Sequence, residues 1–113
     1  MALNIPEEIH GRVKISALDD TVTFRGEIDQ LNPTSFLKPF FEKVKDQMGD
    51  YVNIDIKNLT YLNSSGIRAL IHFLLERQPE TKIIFIIDKD SFWQHNSLEV
   101  IREIDLVHIT IQQ

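Results

Sequence analysis

Apolar residues recur along this chain with two different periods, and the switches between them outline its elements. Val13, Ile15 and Ala17 alternate with Arg12, Lys14 and Ser16, which predicts a strand with one apolar face. Leu18-Asp19-Asp20 reads as a short turn, and Val22 and Phe24 then resume the alternation, so the two strands form a hairpin. Asn32-Pro33 has the chemistry of a helix start, with Asn as cap and Pro in the first helical position. Phe36, Leu37, Phe40, Phe41, Val44 and Met48 follow at helical spacing, and Gly49-Asp50 closes the element. Pro39 interrupts this run and predicts a kink, or a short turn followed by a helix beginning near Lys38.

Beyond that helix, Val52, Ile54 and Ile56 alternate with Asn53 and Asp55, giving a strand over 51–56 and then a loop over 57–63. A second helix is expected from Ser64 or Ser65 to near Arg77, with Ile67, Leu70, Ile71, Leu74 and Leu75 as its apolar stripe and Pro79 ending it. Residues 82–87 are apolar on both faces. Ser97 is placed to cap a third helix, with Leu98, Val100, Ile101 and Ile104 facing inward. Val107, Ile109 and Ile111 alternate with His108 and Thr110 in a last strand. The order β-β-α-β-α-β-α-β implies an α/β fold with a mixed five-stranded sheet and parallel pairing after the hairpin. Because four of the five strands alternate, the helices are expected mainly on one face, leaving the other partly open.

At 113 residues, 42% hydrophobic and 26% charged, the chain fits one soluble domain over 1–113 with a sizeable core. It has no cysteine, which excludes disulfides, thiolate metal sites and cysteine nucleophiles. The first ten residues, with Glu7 and Glu8 and no basic lead, do not read as a secretory signal, and a cytoplasmic location is expected. The longest apolar run, 83–87, is far short of a bilayer span, so no membrane partner is expected. A net charge of −5 without a basic cluster argues against nucleic acid as a partner.

The chemistry of an enzyme is also missing from the pattern. There is no Gly-rich phosphate loop, no Gly-x-Ser-x-Gly and no recognisable carboxylate pair. His10, His72, His95 and His108 lack ligand spacing, so no metal, cofactor or catalytic residue is assigned. An enzyme or small-ligand binder would have to use Asn58, Asn63 and Asp88 at strand ends, without a nucleophile–base pair. Asp88 and Asp90 read as loop-capping residues, and Phe92-Trp93 reads equally as core filler or as an exposed anchor.

The informative segment is Asn63-Ser64-Ser65-Gly66, where an apolar strand and a short loop lead into a helix N-terminus. Free backbone N–H groups converge there and favour negative charge. Ser64 and Ser65 can each cap the helix, Gly66 leaves their approach open, and Arg68 offers a counter-charge one turn on. On motif content alone, this is an ordinary cap cluster.

The same stretch resembles the signature of STAS domains (sulphate transporters and anti-sigma factor antagonists): an apolar strand, a short loop, Asp-Ser-Ser/Thr-Gly and an apolar helix. Gly26-Glu27-Ile28-Asp29 is similar to the Gly-Glu-Leu-Asp at the end of the family's second strand. With the order of elements, the resemblance covers about Arg12 to Ile111. The chain is also similar to a bacterial branch of STAS-like regulators with Asn-Ser-Ser-Gly and a Trp-Gln before the third helix, here Trp93-Gln94.

The resemblance implies a non-enzymatic regulatory module that binds a serine kinase or anti-sigma-like protein. Ser64 would be its phosphoacceptor, with Ser65 as the alternative. Asp29, Asn63, Ser64, Ser65, Gly66 and Arg68 would form the partner-binding surface. Asn63 stands where the family usually has Asp, and this departure favours a second function, a constitutive scaffold or assembly subunit of a stress-sensing or lipid-transport complex. The sequence ends directly after the last strand, so the family's C-terminal helix is not expected, and 88–96 is an extra segment that would cover the surface that helix protects.

Overall fold

The computed structural model describes residues 2–76, 81–91, 93–94, 96–97 and 101, and the backbone of 109–112. These residues build one mixed sheet whose spatial order follows the chain: β1 (Leu3–His10), β2 (Val13–Asp19), β3 (Thr21–Ile28), β4 (Tyr51–Leu62), β5 (Lys82–Ile86) and β6 (Ile109–Gln112). β1, β2 and β3 pair antiparallel, and β3 to β6 pair parallel. Helix α1 (Thr34–Gln47) connects β3 to β4, and α2 (Ser64–Glu76) connects β4 to β5.

The expected α/β class and mixed sheet are present, but the sheet has six strands rather than five. The additional strand is β1, whose Leu3 and Ile5 alternate and are buried. Pro6 and a bulge between Ile5 and Glu8 break the pattern there. An edge strand tolerates such a proline because its outer side has no ladder to feed.

One face of the sheet forms the core. Val13, Ile15, Val22, Phe24, Ile28, Val52, Ile54, Ile83 and Phe85 are buried on it, together with Leu37, Phe40 and Val44 of α1 and Leu70, Phe73 and Leu74 of α2. On the opposite face Lys14, Ser16, Thr23, Asn53, Asp55 and Ile84 are exposed or half-buried. The helices therefore share one face, as the alternation predicts.

Three more expectations, on β4, α1 and α2, are corrected. First, 57–63 is not a loop: β4 continues to Leu62 through two bulges against β3, at Thr23/Arg25 and Gly26/Glu27. Each bulge inserts a residue, so the buried positions run Ile54, Ile56 and then Leu59, which breaks the period of two. Second, α1 is continuous from Thr34 and contains Pro39, and the Asn32 side chain makes no cap bond. Instead the Asn32 carbonyl accepts from Ser35 N and Oγ. Pro39 is exposed and sits near the helix start, where its missing donor strands one solvent-facing carbonyl. Third, the buried face of α2 is Gly66, Ala69, Leu70, Phe73 and Leu74, while Leu75 is 63% exposed. Phe73 turns the helix by stacking on Phe41 at 4.7 Å.

After β5, Asp88 acts as a loop cap, since its Oδ1 accepts from Asp90 N at 3.0 Å. Trp93, Gln94, Asn96, Ser97 and Ile101 are helical, so Ser97 lies within a helix rather than capping it. Trp93 packs on the core, and Ile101 is buried in it. Leu98, Val100, Ile104, Val107 and His108 lie outside the described residues, as do Phe92 and the end of the second helix at Arg77.

The connection after β5 is tied into the sheet through Gln94. β5 pairs with β4 only as far as Asp55, so the later carbonyls of β4 face no neighbouring strand on that side. The buried Gln94 amide donates to Ile56 O at 2.7 Å and Leu59 O at 3.1 Å, and its Oε1 accepts from Asp88 N at 2.8 Å. Gln94→Leu leaves three backbone groups without partners and is expected to cost about 1–3 kcal/mol in urea unfolding. An unchanged midpoint would contradict the role.

β1 is fastened to α1 by Glu8, which bonds Lys43 and His10 at 3.0 Å each, while His10 stacks on Phe36 at 4.3 Å. Burial opposes ionisation of Glu8, but the His10 and Lys43 hydrogen bonds outweigh it and hold the carboxyl below 4.5. A depressed folded pKa stabilises fully above the unfolded value and is lost as pH falls through the folded one. Stability of the wild type should therefore drop below about pH 4.5 more steeply than that of Glu8→Gln, as read by thermal melts across the acid range.

Candidate functional site

The parallel strands β3 and β4 end side by side, and the site lies where they hand over to loop and helix. Gly26 bends β3 toward it. Its φ is +102°, and a Cβ there would collide with the Arg12 carbonyl, so only glycine fits. That carbonyl accepts from Glu27 N at 3.1 Å, and Gly26 O accepts from Thr60 Oγ1 at 3.0 Å. The glycine of the Gly26-Glu27-Ile28-Asp29 motif thus serves a close backbone approach beside a bulge.

Asn63 makes the junction to α2. Its backbone N–H donates to Ile28 O at 3.0 Å, and its carbonyl accepts the first helical bond from Ile67 N. Its side chain uses both ends of the amide. Nδ2 donates to Gln30 O at 2.7 Å, and Oδ1 accepts from Gly66 N at 2.9 Å. The helix cap is therefore Asn63, not Ser64 or Ser65, which occupy the first two helical positions.

Freed from capping, Ser64 is exposed and Ser65 half-buried, and among the described residues neither hydroxyl makes a hydrogen bond. Gly66 has a different duty from the one expected. It is buried, and a Cβ would clash with Leu62 and press on Ile28 and Asn63, so the glycine lets the helix end close onto the strands.

Asp29 follows β3 directly, between the two carbonyls that hold Asn63. Its carboxylate lies 3.8 Å from Arg12, which also meets Glu27 at 3.3 Å. Arg68 is exposed on α2 and lines the groove facing α1. The structure thus gathers Asp29, Asn63, Ser64, Ser65 and Gly66 at one sheet end, while Arg68 opens onto the adjoining helix pair.

Two residues that the sequence did not single out complete the site. Gln30 Nε2 donates to His10 O at 2.7 Å, and its Oε1 accepts from Asp29 N at 3.1 Å. A hydrogen-bonded chain therefore runs from the β1–β2 turn through Gln30 and Asn63 to Gly66. Next to it Leu31 is 99% exposed. Leu31 was findable as an apolar residue in a polar loop, whereas nothing in the sequence marks Gln30.

No protein-family model matches the chain, and no curated protein matches it. Among solved structures, the crystal structure of an anti-sigma factor antagonist from Mycobacterium paratuberculosis aligns with TM-score 0.64. The alignment covers 96% of this chain and 83% of that one at 17% identity. The fold is that of an anti-sigma factor antagonist. At this identity the likeness to that antagonist extends to architecture and not to the roles of individual residues. Within the antagonist fold, the α2 N-terminus is organised in this chain by an amide rather than a carboxylate.

A carboxylate at 63 would still accept from Gly66 but would face the Gln30 carbonyl without a proton to share. Asn63→Ala is expected to lower unfolding stability by about 1–2 kcal/mol, since it removes the cap and strands the Gln30 carbonyl. Chemical denaturation at neutral pH reads this, and a loss no larger than an exposed-surface change would refute the junction.

Proposed function

We propose that this chain is a single-domain, non-enzymatic regulatory module of the anti-sigma factor antagonist type, working in the cytoplasm by exchanging protein partners. The docking surface is the α2 N-terminus with the end of β3: Asp29, Asn63, Ser64, Ser65, Gly66 and the neighbouring Arg68. The partner is a serine kinase or an anti-sigma-like protein, and phosphorylation of Ser64 ends the contact. One observation carries this reading. Ser64 is exposed at the first position of a helix that is already capped, so its hydroxyl is spare.

A phosphate there adds close to two negative charges beside free N–H groups of the first turn. The helix dipole tolerates that charge, and neither first turn of α1 or α2 holds an acidic residue to oppose it. The fold can therefore stay as it is while the surface changes sign. Ser65 is the weaker acceptor because it is half-buried. Leu31, wholly exposed beside the site, supports a protein partner over a small ligand. Among the described residues no helix is long and apolar enough to cross a membrane.

A second reading keeps the fold and surface but not the switch: a constitutive scaffold or assembly subunit. Asn63 favours it, because the neutral cap removes a charge that a kinase could use to orient Ser64.

Ser64→Asp separates the two. It should raise thermal stability slightly, by about 0.3–1 kcal/mol through the helix dipole. On the switch reading it should at the same time lose the partner that wild type and Ser64→Ala bring down from the native host. Retained partner binding in Ser64→Asp, with no phosphate at Ser64 or Ser65 by fragment mass spectrometry across growth conditions, would leave the scaffold reading standing.

A further inference from the structure

α1 and α2 lie side by side and run in the same direction, since Phe41 stacks on Phe73 and, further along, Lys45 meets Glu76 at 3.1 Å. Between them on the outer surface is a groove of about 290 Å³. Its floor is apolar, made by Phe41, Ala69 and Phe73. Its walls are charged unevenly. At the far end Lys45 bridges Glu42 at 3.7 Å and Glu76, where the Glu76 hydrogen bond raises the lysine's pKa and Lys45 lowers that of Glu76, with His72 and Lys38 adding to it from further off. At the near end Lys38 of α1 and Arg68 of α2 line the groove, and among the described residues neither has a carboxylate within ion-pair distance. His72 is exposed on the same rim.

Lys38 acts on Glu76 only at a distance and Arg68 makes no direct ion pair among the described residues, so two cations lie over an aromatic floor on a chain of net charge −5. The near end also adjoins the starts of both helices, where the dipole adds positive potential that no first-turn acid cancels. The volume suits one or two apolar side chains and not a folded body. We infer that this groove docks a short acidic segment of the protein partner, its carboxylates on Lys38 and Arg68 and an apolar side chain on Phe41 and Phe73. The inference rests on the partner-binding reading and names where, beyond the serine, the partner is held. The Glu42–Lys45–Glu76 end offers no free cation and sets the direction in which the segment lies. Such a contact weakens with salt, because the cations are exposed.

The test is photo-crosslinking in the native host with p-benzoylphenylalanine placed singly at position 72 on the groove, at 65 on the serine site, and at 14 on the open sheet face. The expected result is a crosslink from 72 to a peptide rich in Asp and Glu, absent from 14. In the Lys38→Glu/Arg68→Glu double variant its yield should fall at least tenfold, with the melting curve retained and with Lys38→Arg/Arg68→Lys restoring it. Crosslinking from 65 but not from 72 would overturn the groove and leave partner binding in place; crosslinking from neither would overturn both. A crosslink from 72 to a second copy of this chain, or one unaffected by charge reversal, also overturns the inference. So does a melting temperature raised by inorganic phosphate in wild type and not in the double variant, when no crosslink forms at 72, since that would make the groove a small-anion site.

Discussion

The side-chain amide of Asn63 is the joint on which the site depends. It donates to the loop that leaves β3 and accepts from the first turn of α2, two bonds of opposite sense that an amide supplies together. Everything around it follows from that. Gly66 lets the helix end come close enough to be capped without displacing Leu62. Gln30 must present its carbonyl, and it is held for this by its own bonds to His10 and Asp29. The serines are then released from capping, Ser64 exposed and Ser65 half-buried. The candidate surface is thus a by-product of the way Asn63 closes the junction.

The same logic of satisfied carbonyls shapes the other edge of β4. A strand of 12 residues is longer than its neighbour β5, of 5, so its second half would expose buried acceptors. One glutamine from the connection after β5 meets two of them. The long β4 matters because its end delivers Asn63 beside Ile28, and the two bulges let it do so while Leu59 still points into the core. Sheet irregularity and site position are therefore one problem with one solution.

Much of this was legible from residue order. The hairpin and the first half of β4 follow from a period of two, α2 from a helical period, β5 from a short run apolar on both faces, and the one-sided sheet from the polar residues that alternate with apolar ones. The misses share a cause: a local signal was outvoted by packing. Pro6 disguised an edge strand, and Pro39 disguised a continuous helix. In β4 the three-residue step from Ile56 to Leu59 made a bulged strand resemble a loop. At the site, the segment 63–66 was found, but capping was given to the serines because all three residues are good caps. Only the reach to the Gln30 carbonyl distinguishes Asn63, and that partner lies 33 residues away in sequence. Gln94 is invisible for the same reason, since its partners are made by topology.

A fold shared with an anti-sigma factor antagonist at 17% identity fixes the scaffold, and the chemistry of 63–66 then has to carry the function. The helix end is built without any partner or phosphate, so that a phosphate on Ser64 would alter charge and not structure. The most direct measurement is a comparison of amide NMR spectra of the unmodified protein and of protein carrying phosphoserine at position 64. The account predicts shifts confined to 29–31 and 62–68, with the sheet resonances unmoved. Shifts spread through β4 and β5, or loss of the Gly66 amide's protection from exchange, would contradict it and make the serine part of the fold's own support.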